Sequence, residues 1–156
     1  MLKDLNIVEF ADETASDSPA PGGGSIAALN ASMAASLLAM VAGLTVGKKK
    51  YMDVSDRMEE IQAELVKYKD EFVDGIDKDA NSFNGVMDAM KLPKETEEEK
   101  AARSEKIQEG YRNAIEVPLG LGMKVTELYD YARELAEKGN SNAITDVAVA
   151  LLNIEA

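Results

Sequence analysis

Hydrophobic side chains recur along most of this chain at spacings of three and four residues, which is the period of an amphipathic α-helix. The pattern is clearest between about residue 53 and residue 90, where the opposite face is charged. It predicts one long helix, and Gly75 and Gly85 are the points at which that helix would kink or break. The apolar face consists of Met58, Ile61, Leu65, Tyr68, Phe72, Ile76, Phe83, Val86 and Met90.

Proline and glycine separate several further helical stretches, and the chain has no β-hairpin signal. We expect an all-α protein, an up-and-down bundle of five or six helices in one domain spanning residues 1–156. The first helix opens near Leu5, the loop 16–24 follows it, and the second helix runs from Ser25 to about Val46. The later boundaries are a helix start at Thr96, a kink or end at Pro118, a fifth helix over about 119–138, and a last helix from about residue 145.

Residues 26–46 are apolar on every side and rich in alanine, which predicts a buried central helix that its neighbours approach closely. The stretch is also long enough to span a bilayer. Four hydroxyl or amide side chains within it, and Ser25 directly before it, dilute its hydropathy, so we favour a core helix and expect no membrane. A helix that is hydrophobic all round also gives a reason to expect a homodimer.

Composition narrows the chemistry that is available. The formal net charge of −12 opposes binding to nucleic acid. The chain has no cysteine and no histidine, which excludes thiol nucleophiles and removes the usual transition-metal ligands and proton carriers. Proton transfer would therefore use Asp, Glu, Lys, Tyr or water, and we expect no metal. The start of the chain does not resemble a signal peptide, so we expect a cytoplasmic protein.

A glycine-rich stretch, Pro21-Gly22-Gly23-Gly24-Ser25, leads into the second helix. Free backbone N–H groups at a helix start can bind an anion, and glycine allows a ligand to approach closely. The alternative is a tight loop in which Ser25 only caps the helix. Composition alone favours this alternative.

Charged residues at three other positions are further candidates. Lys48, Lys49 and Lys50 either complement the end of a helix or attract an anionic ligand. Asp79 and Asp146 are either acid–base groups or ordinary members of charged helix surfaces. Without further information the second interpretation of each aspartate is favoured.

Taken together, these stretches resemble the formiminotransferase-cyclodeaminase C-terminal domain and its stand-alone bacterial relatives. The resemblance covers nearly the whole chain and keeps the order of the motifs. They are SPAPGGGS (18–25), MVAGLTVGKKKY (40–51), DANSF (79–83), LPK (92–94), AIEVPL (114–119) and GN (139–140) with Asp146.

The resemblance implies a dimeric helical bundle that acts on a tetrahydrofolate derivative. Its members cyclise 5-formimidoyltetrahydrofolate to 5,10-methenyltetrahydrofolate with loss of ammonia, or hydrolyse the methenyl compound to 10-formyltetrahydrofolate. We place the cyclodeaminase first, the cyclohydrolase second, and a non-catalytic folate-binding or structural module third. Members of the family extend beyond the position of Ala156, so we expect this chain to lack their C-terminal helix.

The resemblance also assigns site residues. The catalytic candidates are Asp79, Lys49 and Asp146. The substrate-binding candidates are Pro21, Gly22, Gly23, Gly24, Ser25, Lys50, Tyr51, Ser82, Phe83 and Pro118.

Overall fold

The computed structural model describes residues 1–156 and contains six α-helices and no strand, which confirms the all-α prediction. Three short 3₁₀ helices, at Leu2–Asp4, Lys49–Tyr51 and Ser141–Ala143, join or precede them. The α-helices are α1 (Ile7–Thr14), α2 (Gly23–Gly43), α3 (Ser55–Met90), α4 (Glu97–Val125), α5 (Leu128–Lys138) and α6 (Ile144–Glu155).

The central element of the bundle is α2, as predicted. It packs along α3 and also contacts α4, α5 and α6. Its buried positions are mostly alanine and serine, and these small side chains let neighbouring helices approach closely. By length and composition α2 could also cross a membrane, but half of its most apolar window is buried inside the fold, as in the core helix of a soluble protein.

A single cluster of 18 buried residues forms the hydrophobic core. Most of its larger side chains come from the α3 face that the sequence predicted and from α5, and together with Leu38 of α2 they surround the small residues of α2. Each fully buried leucine, isoleucine or phenylalanine contributes roughly 1.5–3 kcal/mol relative to an exposed one. The largest fully buried side chains are Phe72, Leu38, Met58, Ile61, Leu65, Leu128 and Leu135.

Reciprocal capping starts α4 at the predicted position. The side chain of Thr96 accepts a hydrogen bond from the backbone N–H of Glu99, 3.1 Å away. The Glu99 carboxylate accepts one in return from the N–H of Thr96, also at 3.1 Å. Two N–H groups that the helix cannot satisfy itself are thereby paired.

Of the two outcomes predicted at Pro118, the helix end is wrong, because α4 continues through this proline to Val125 and α5 begins only at Leu128. A proline inside a helix costs about 3 kcal/mol through the lost hydrogen bond and a steric clash. The continued helix places Leu121 and Val125 against the core. Burial of these two side chains offsets the cost of the proline.

Two glycines let helices pack closely against α3 and do not break them. At Gly75 of α3, a Cβ atom would lie 3.0 Å from Leu121 of α4 and 3.4 Å from Ala28 of α2. At Gly110 of α4, it would lie 3.1 Å from backbone atoms of Val86 in α3. A break of α3 at Gly75 or Gly85 does not occur, since the helix is continuous from Ser55 to Met90.

Replacing glycine by alanine in α4 should have opposite effects at two positions. We expect Gly110→Ala to lower the free energy of unfolding by about 1 kcal/mol, because the new methyl group crowds the Val86 backbone. The matched control, Gly120→Ala, has open space around its Cβ and should raise it by about 0.5–1 kcal/mol through better helix propensity. Urea unfolding of both variants checks this, and an unchanged or increased stability of Gly110→Ala would contradict the close crossing.

Candidate active site

The first turn of α2 is tied to α3 by the hydroxyl of Ser25. The N-cap of α2 is Gly22, and no side chain caps the helix. The Ser25 hydroxyl is buried and lies 2.9 Å from Oδ2 of Asp79 and 3.1 Å from the carbonyl oxygen of Ile76. The alternative in which Ser25 merely caps its own helix is therefore wrong, because its hydroxyl donates to α3.

Asp79 lies directly against the glycine-rich start of α2. A Cβ atom at Gly24 would be 2.1 Å from Oδ1 of Asp79, so only glycine leaves room for this carboxylate. The unpaired N–H groups of the first helical turn carry partial positive charge, which attracts the carboxylate. Gly24 and Ser25 thus fix the position of Asp79 without a cationic side chain.

A cavity of about 160 Å³ opens beside this carboxylate. Phe83 is half-buried in its wall, and the Ser82 hydroxyl donates to the backbone carbonyl of Asp79 at 2.7 Å. Pro21 is buried just before the lining residue Gly22. Ligand pockets usually have volumes of about 300–1,000 Å³, so this one suits one end of a cofactor-sized molecule. It is lined by Pro19, Ala20, Gly22, Asp79, Ala80, Ser82, Phe83 and Ala114.

The other predicted site residues meet at the opposite end of α2. Gly47, with a φ angle of +68°, turns the chain into the 3₁₀ helix Lys49–Tyr51. The hydroxyl of Tyr51 lies 3.1 Å from Oγ of Ser141 and accepts a hydrogen bond from the Ser141 N–H at 3.0 Å. We call these two segments, residues 47–51 and 139–143, the lysine–tyrosine cluster.

The lysines of this cluster differ in their surroundings. The ammonium of Lys50 lies 4.9 Å from the centre of the Tyr51 ring and donates to Oγ of Ser141 at 3.4 Å. Lys48 and Lys49 are exposed, and neither forms an ion pair with a carboxylate of the chain. Asp146 is half-buried in the first turn of α6, which follows the same cluster in the chain. Two exposed cations are therefore free to meet an anionic ligand.

The environment of Tyr51 changes its acidity. Hydrogen bonds from Ser141, first its side chain and then its backbone, lower the pKa of Tyr51 to about 8, and Lys50 adds to the effect. Tyr68, Tyr129 and Tyr131 show the opposite, since each donates to a glutamate and has a raised pKa. Donors stabilise the phenolate, whereas carboxylate acceptors stabilise the phenol.

The structure does not bring all predicted site residues together. The 21 residues of α2 separate the Asp79 cavity from the lysine–tyrosine cluster, a distance of about 30 Å at 1.5 Å per residue. Pro118 belongs to neither group, and lines a different cavity with Ala27, Ala31 and Leu121. Sequence reasoning missed Ser141, whose only local signal was its place after Gly139-Asn140.

No group of three or more Asp or Glu side chains is arranged to hold a metal ion.

The protein is a helical bundle that holds a carboxylate beside a small cavity at a glycine-rich helix start. Its exposed lysines lie elsewhere and are the groups that can attract an anionic molecule. A family model described as formiminotransferase-cyclodeaminase matches residues 6–156. The chain belongs to this family. The family identified from the motifs is confirmed, and with it the class of folate one-carbon enzyme.

Individual relatives carry both activities in their names. The chain is 43% identical to the methenyltetrahydrofolate cyclohydrolase of Methylorubrum extorquens, over 98% of this chain and 74% of that protein. It is 35% identical to the formimidoyltransferase-cyclodeaminase of Rattus norvegicus, but spans only 28% of that protein's length. The crystal structure of formiminotetrahydrofolate cyclodeaminase from Thermotoga maritima matches with a TM-score of 0.80 and 30% identity, over 99% of this chain and 79% of that one.

Adding a methyl group at Gly24 should strongly lower turnover at this cavity. Gly24→Ala would displace the Asp79 carboxylate, and we expect turnover to fall by roughly 100-fold, as misplacement of a reacting group by about 1 Å does elsewhere. Gly23→Ala is the matched control, because nothing lies within 4 Å of its Cβ. It should keep kcat, and any effect should fall on KM through the substrate contact predicted for the loop. Equal kcat losses in both variants would contradict the role given to the Gly24–Asp79 contact.

Proposed function

We propose that this chain cyclises 5-formimidoyltetrahydrofolate to 5,10-methenyltetrahydrofolate and ammonia. The observation that carries the proposal is the Asp79 carboxylate, which Ser25 and Gly24 hold at the mouth of the cavity. The cyclodeaminase names of the Rattus norvegicus and Thermotoga maritima relatives support it.

The chemistry needs a carboxylate of this kind. N10 of the folate attacks the formimidoyl carbon and must lose its proton, which Asp79 can accept. The one-carbon unit carries positive charge both as the protonated formimidoyl group and as the methenyl product. A fixed negative charge beside it stabilises that charge without reorganisation. The hydrogen bond from Ser25, at 2.9 Å, keeps the carboxylate in place during the reaction.

The exposed lysines are suited to the other end of the substrate. Folates carry glutamate carboxylates, and the chain as a whole has a net charge of −12 that repels anions. Lys48, Lys49 and Lys50 supply a local positive charge, and no carboxylate of the chain lies within 4 Å of their ammonium groups. We assign Lys49 and Lys50 to the glutamate tail, with Tyr51 beside them.

Methenyltetrahydrofolate cyclohydrolase is the second candidate, because the Methylorubrum extorquens relative with that name is 43% identical along 98% of this chain. Asp79 would then accept a proton from the water that attacks the methenyl carbon. The two reactions are distinguished by absorbance, since methenyltetrahydrofolate is the chromophore that one makes and the other consumes. Appearance of the chromophore from 5-formimidoyltetrahydrofolate supports the first candidate, and its accelerated loss supports the second.

Replacing Asp79 by Asn should lower kcat by roughly 100-fold or more in whichever reaction is active. Asp88→Asn, which alters an exposed carboxylate of the same helix that pairs with Lys91, should leave kcat unchanged. Thermal unfolding of both variants shows whether they fold. A folded Asp79→Asn variant with full turnover would contradict the assignment, and folate binding without turnover by the parent chain would favour a binding module.

A homodimer would bring the two groups of site residues together. The face of α2 that is turned away from the core carries Met33 and Met40, with half-buried Leu37 between them, and Leu44 follows directly after the helix; Met33, Met40 and Leu44 are each more than 40% exposed. A twofold axis perpendicular to α2 makes two such faces pack antiparallel. The start of one α2 then lies near the end of the other. We propose that Asp79 of one subunit and the lysines of its partner serve one folate.

Mixing two inactive variants tests this arrangement. Asp79→Asn and the double variant Lys49→Ala/Lys50→Ala should each lose most activity, the second mainly through KM. After dissociation and reassociation, a random mixture should regain about a quarter of the parent activity, because half of the dimers are mixed and each has one intact site. No recovery in a mixture shown to exchange subunits would contradict the shared site, and light scattering that gives a monomer would contradict the dimer.

A further inference from the structure

We propose that Asp77 is a positioning residue: by holding the backbone of Leu2, it keeps one wall of the Asp79 cavity closed and water away from the one-carbon unit of the folate. The inference rests on the proposed function and deepens it, because it names the segment that encloses the reacting end of the substrate. Asp77 lies two residues before Asp79 on α3, and no step of the proposed reaction uses it.

The surroundings of Asp77 are unusual for a carboxylate. The residue is only 7% exposed. Its Oδ1 atom accepts a hydrogen bond from the backbone N–H of Leu2 at 2.7 Å, whereas its Oδ2 atom is buried and has no hydrogen-bond partner in the protein. A buried carboxylate oxygen without a partner costs stability. Packing of the core therefore does not explain Asp77, and the one hydrogen bond of its side chain goes to the start of the chain.

The bond from Leu2 closes a loop that begins and ends on one turn of α3. Leu2 is bonded to Asp77 at the first end of this loop, and the hydroxyl of Ser25 is bonded to Asp79 at the other end. The part of the loop that contains α1, residues 6–21, is called the N-terminal strap. A change at either end can therefore alter how the strap lies against α3.

The strap itself has few attachments to the rest of the protein. All of its hydrogen bonds are made between its own residues, and no residue of α1 is buried. Just before the strap, Lys3 forms an ion pair with Asp74 at 2.6 Å, but the Asp74 side chain is 53% exposed. Exposed ion pairs of this kind contribute little to stability. The bond from Leu2 to Asp77 is therefore the buried polar contact that ties the first end of the strap to α3.

The far end of the strap forms part of the Asp79 cavity. Pro19 and Ala20 line this cavity of about 160 Å³ together with Phe83 and Ala114, so the strap contributes to an apolar wall beside the carboxylate. An apolar wall that stays in place excludes water from the groups it covers. If the tie at Leu2 is lost, the wall can move away from α3 and water can enter.

Entry of water would change which folate leaves the cavity. Cyclodeamination leaves a methenyl cation whose carbon is bonded to both N5 and N10. When water adds to this carbon and the carbon–N5 bond breaks, the products are 10-formyltetrahydrofolate and one proton. Closure of a site over its substrate prevents side reactions of this kind. A strap held by Asp77 therefore favours release of the methenyl product.

Spin labels test the attachment of the strap without turnover. Because the chain has no cysteine, Asp12→Cys and Asn84→Cys place single labels at exposed positions of α1 and α3. The parent should show one distance between the labels. Asp77→Ala should increase a second, longer distance roughly tenfold, because it removes a hydrogen bond to a charged acceptor. This variant should fold, since the change also removes a buried oxygen that has no partner.

Two further variants are the controls for this measurement. Asp77→Asn keeps an oxygen that can accept the hydrogen bond from Leu2, and it should restore the single distance. Asp74→Ala removes only the exposed ion pair with Lys3 and should also leave the distance unchanged. Equal distance distributions in the parent and in Asp77→Ala would overturn the proposal.

The second test measures what each turnover yields from 5-formimidoyltetrahydrofolate. In the parent, the initial rate of methenyltetrahydrofolate formation should equal the rate of ammonia release. In Asp77→Ala the ratio of these rates should fall by roughly twofold or more, with 10-formyltetrahydrofolate making up the difference. Asp77→Asn and Asp74→Ala should keep the ratio of the parent.

The outcomes separate this inference from the proposed function. An unchanged ratio in a folded Asp77→Ala variant would overturn the role in excluding water and leave the proposed function intact. A folded parent chain that releases no ammonia from 5-formimidoyltetrahydrofolate would instead contradict the proposed function. The distances between the spin labels decide the attachment of the strap in either case.

Discussion

The close approach of α2 and α3 is the constraint on which the rest of the structure depends. Ala28 is fully buried across this contact, and a Cβ atom at Gly75 would lie 3.4 Å from its methyl carbon. Because the helices lie so near each other, the hydroxyl of Ser25 reaches Asp79 and the backbone of Gly24 touches its carboxylate. The small side chains of α2 thus allow both the close packing of the core and the contact between Ser25 and Asp79 at the cavity. Larger side chains on α2 would separate Ser25 from Asp79.

The length of α2 has a second consequence. A straight helix of 21 residues holds the glycine-rich start and the lysine–tyrosine cluster about 30 Å apart, and α3 and α6 pack against it along the way. Bending α2 to join its ends would break this packing. The proposed homodimer would combine them without bending α2, and the exposed Met33 and Met40 give α2 an apolar face for this proposed contact.

Much of the fold could be predicted from local pattern, and much of the site could not. The face of α3 and the start of α4 at Thr96 depend on residues three or four positions apart, which sequence reasoning detects. Burial of Leu121 beyond Pro118 depends on contacts with distant helices, so the boundary there was misplaced. The partner of Ser25 lies 54 residues away and that of Tyr51 lies 90 away. Pairs at such separations leave no periodic signal.

Because the chain has no histidine and no cysteine, proton transfer depends on groups such as tyrosines and carboxylates. The surroundings of each of these groups decide whether it is suited to proton transfer. The hydrogen bond from Tyr68 to Glu127 raises the pKa of Tyr68, and the pKa of Tyr131 is raised first by burial and then by its hydrogen bond to Glu64. Tyr51 faces hydrogen-bond donors and an ammonium group, so its proton is the easiest of these to give away near neutral pH. Ser141 is the main cause of the lowered pKa of Tyr51, and Lys50, which we assign to the anionic substrate, adds to it.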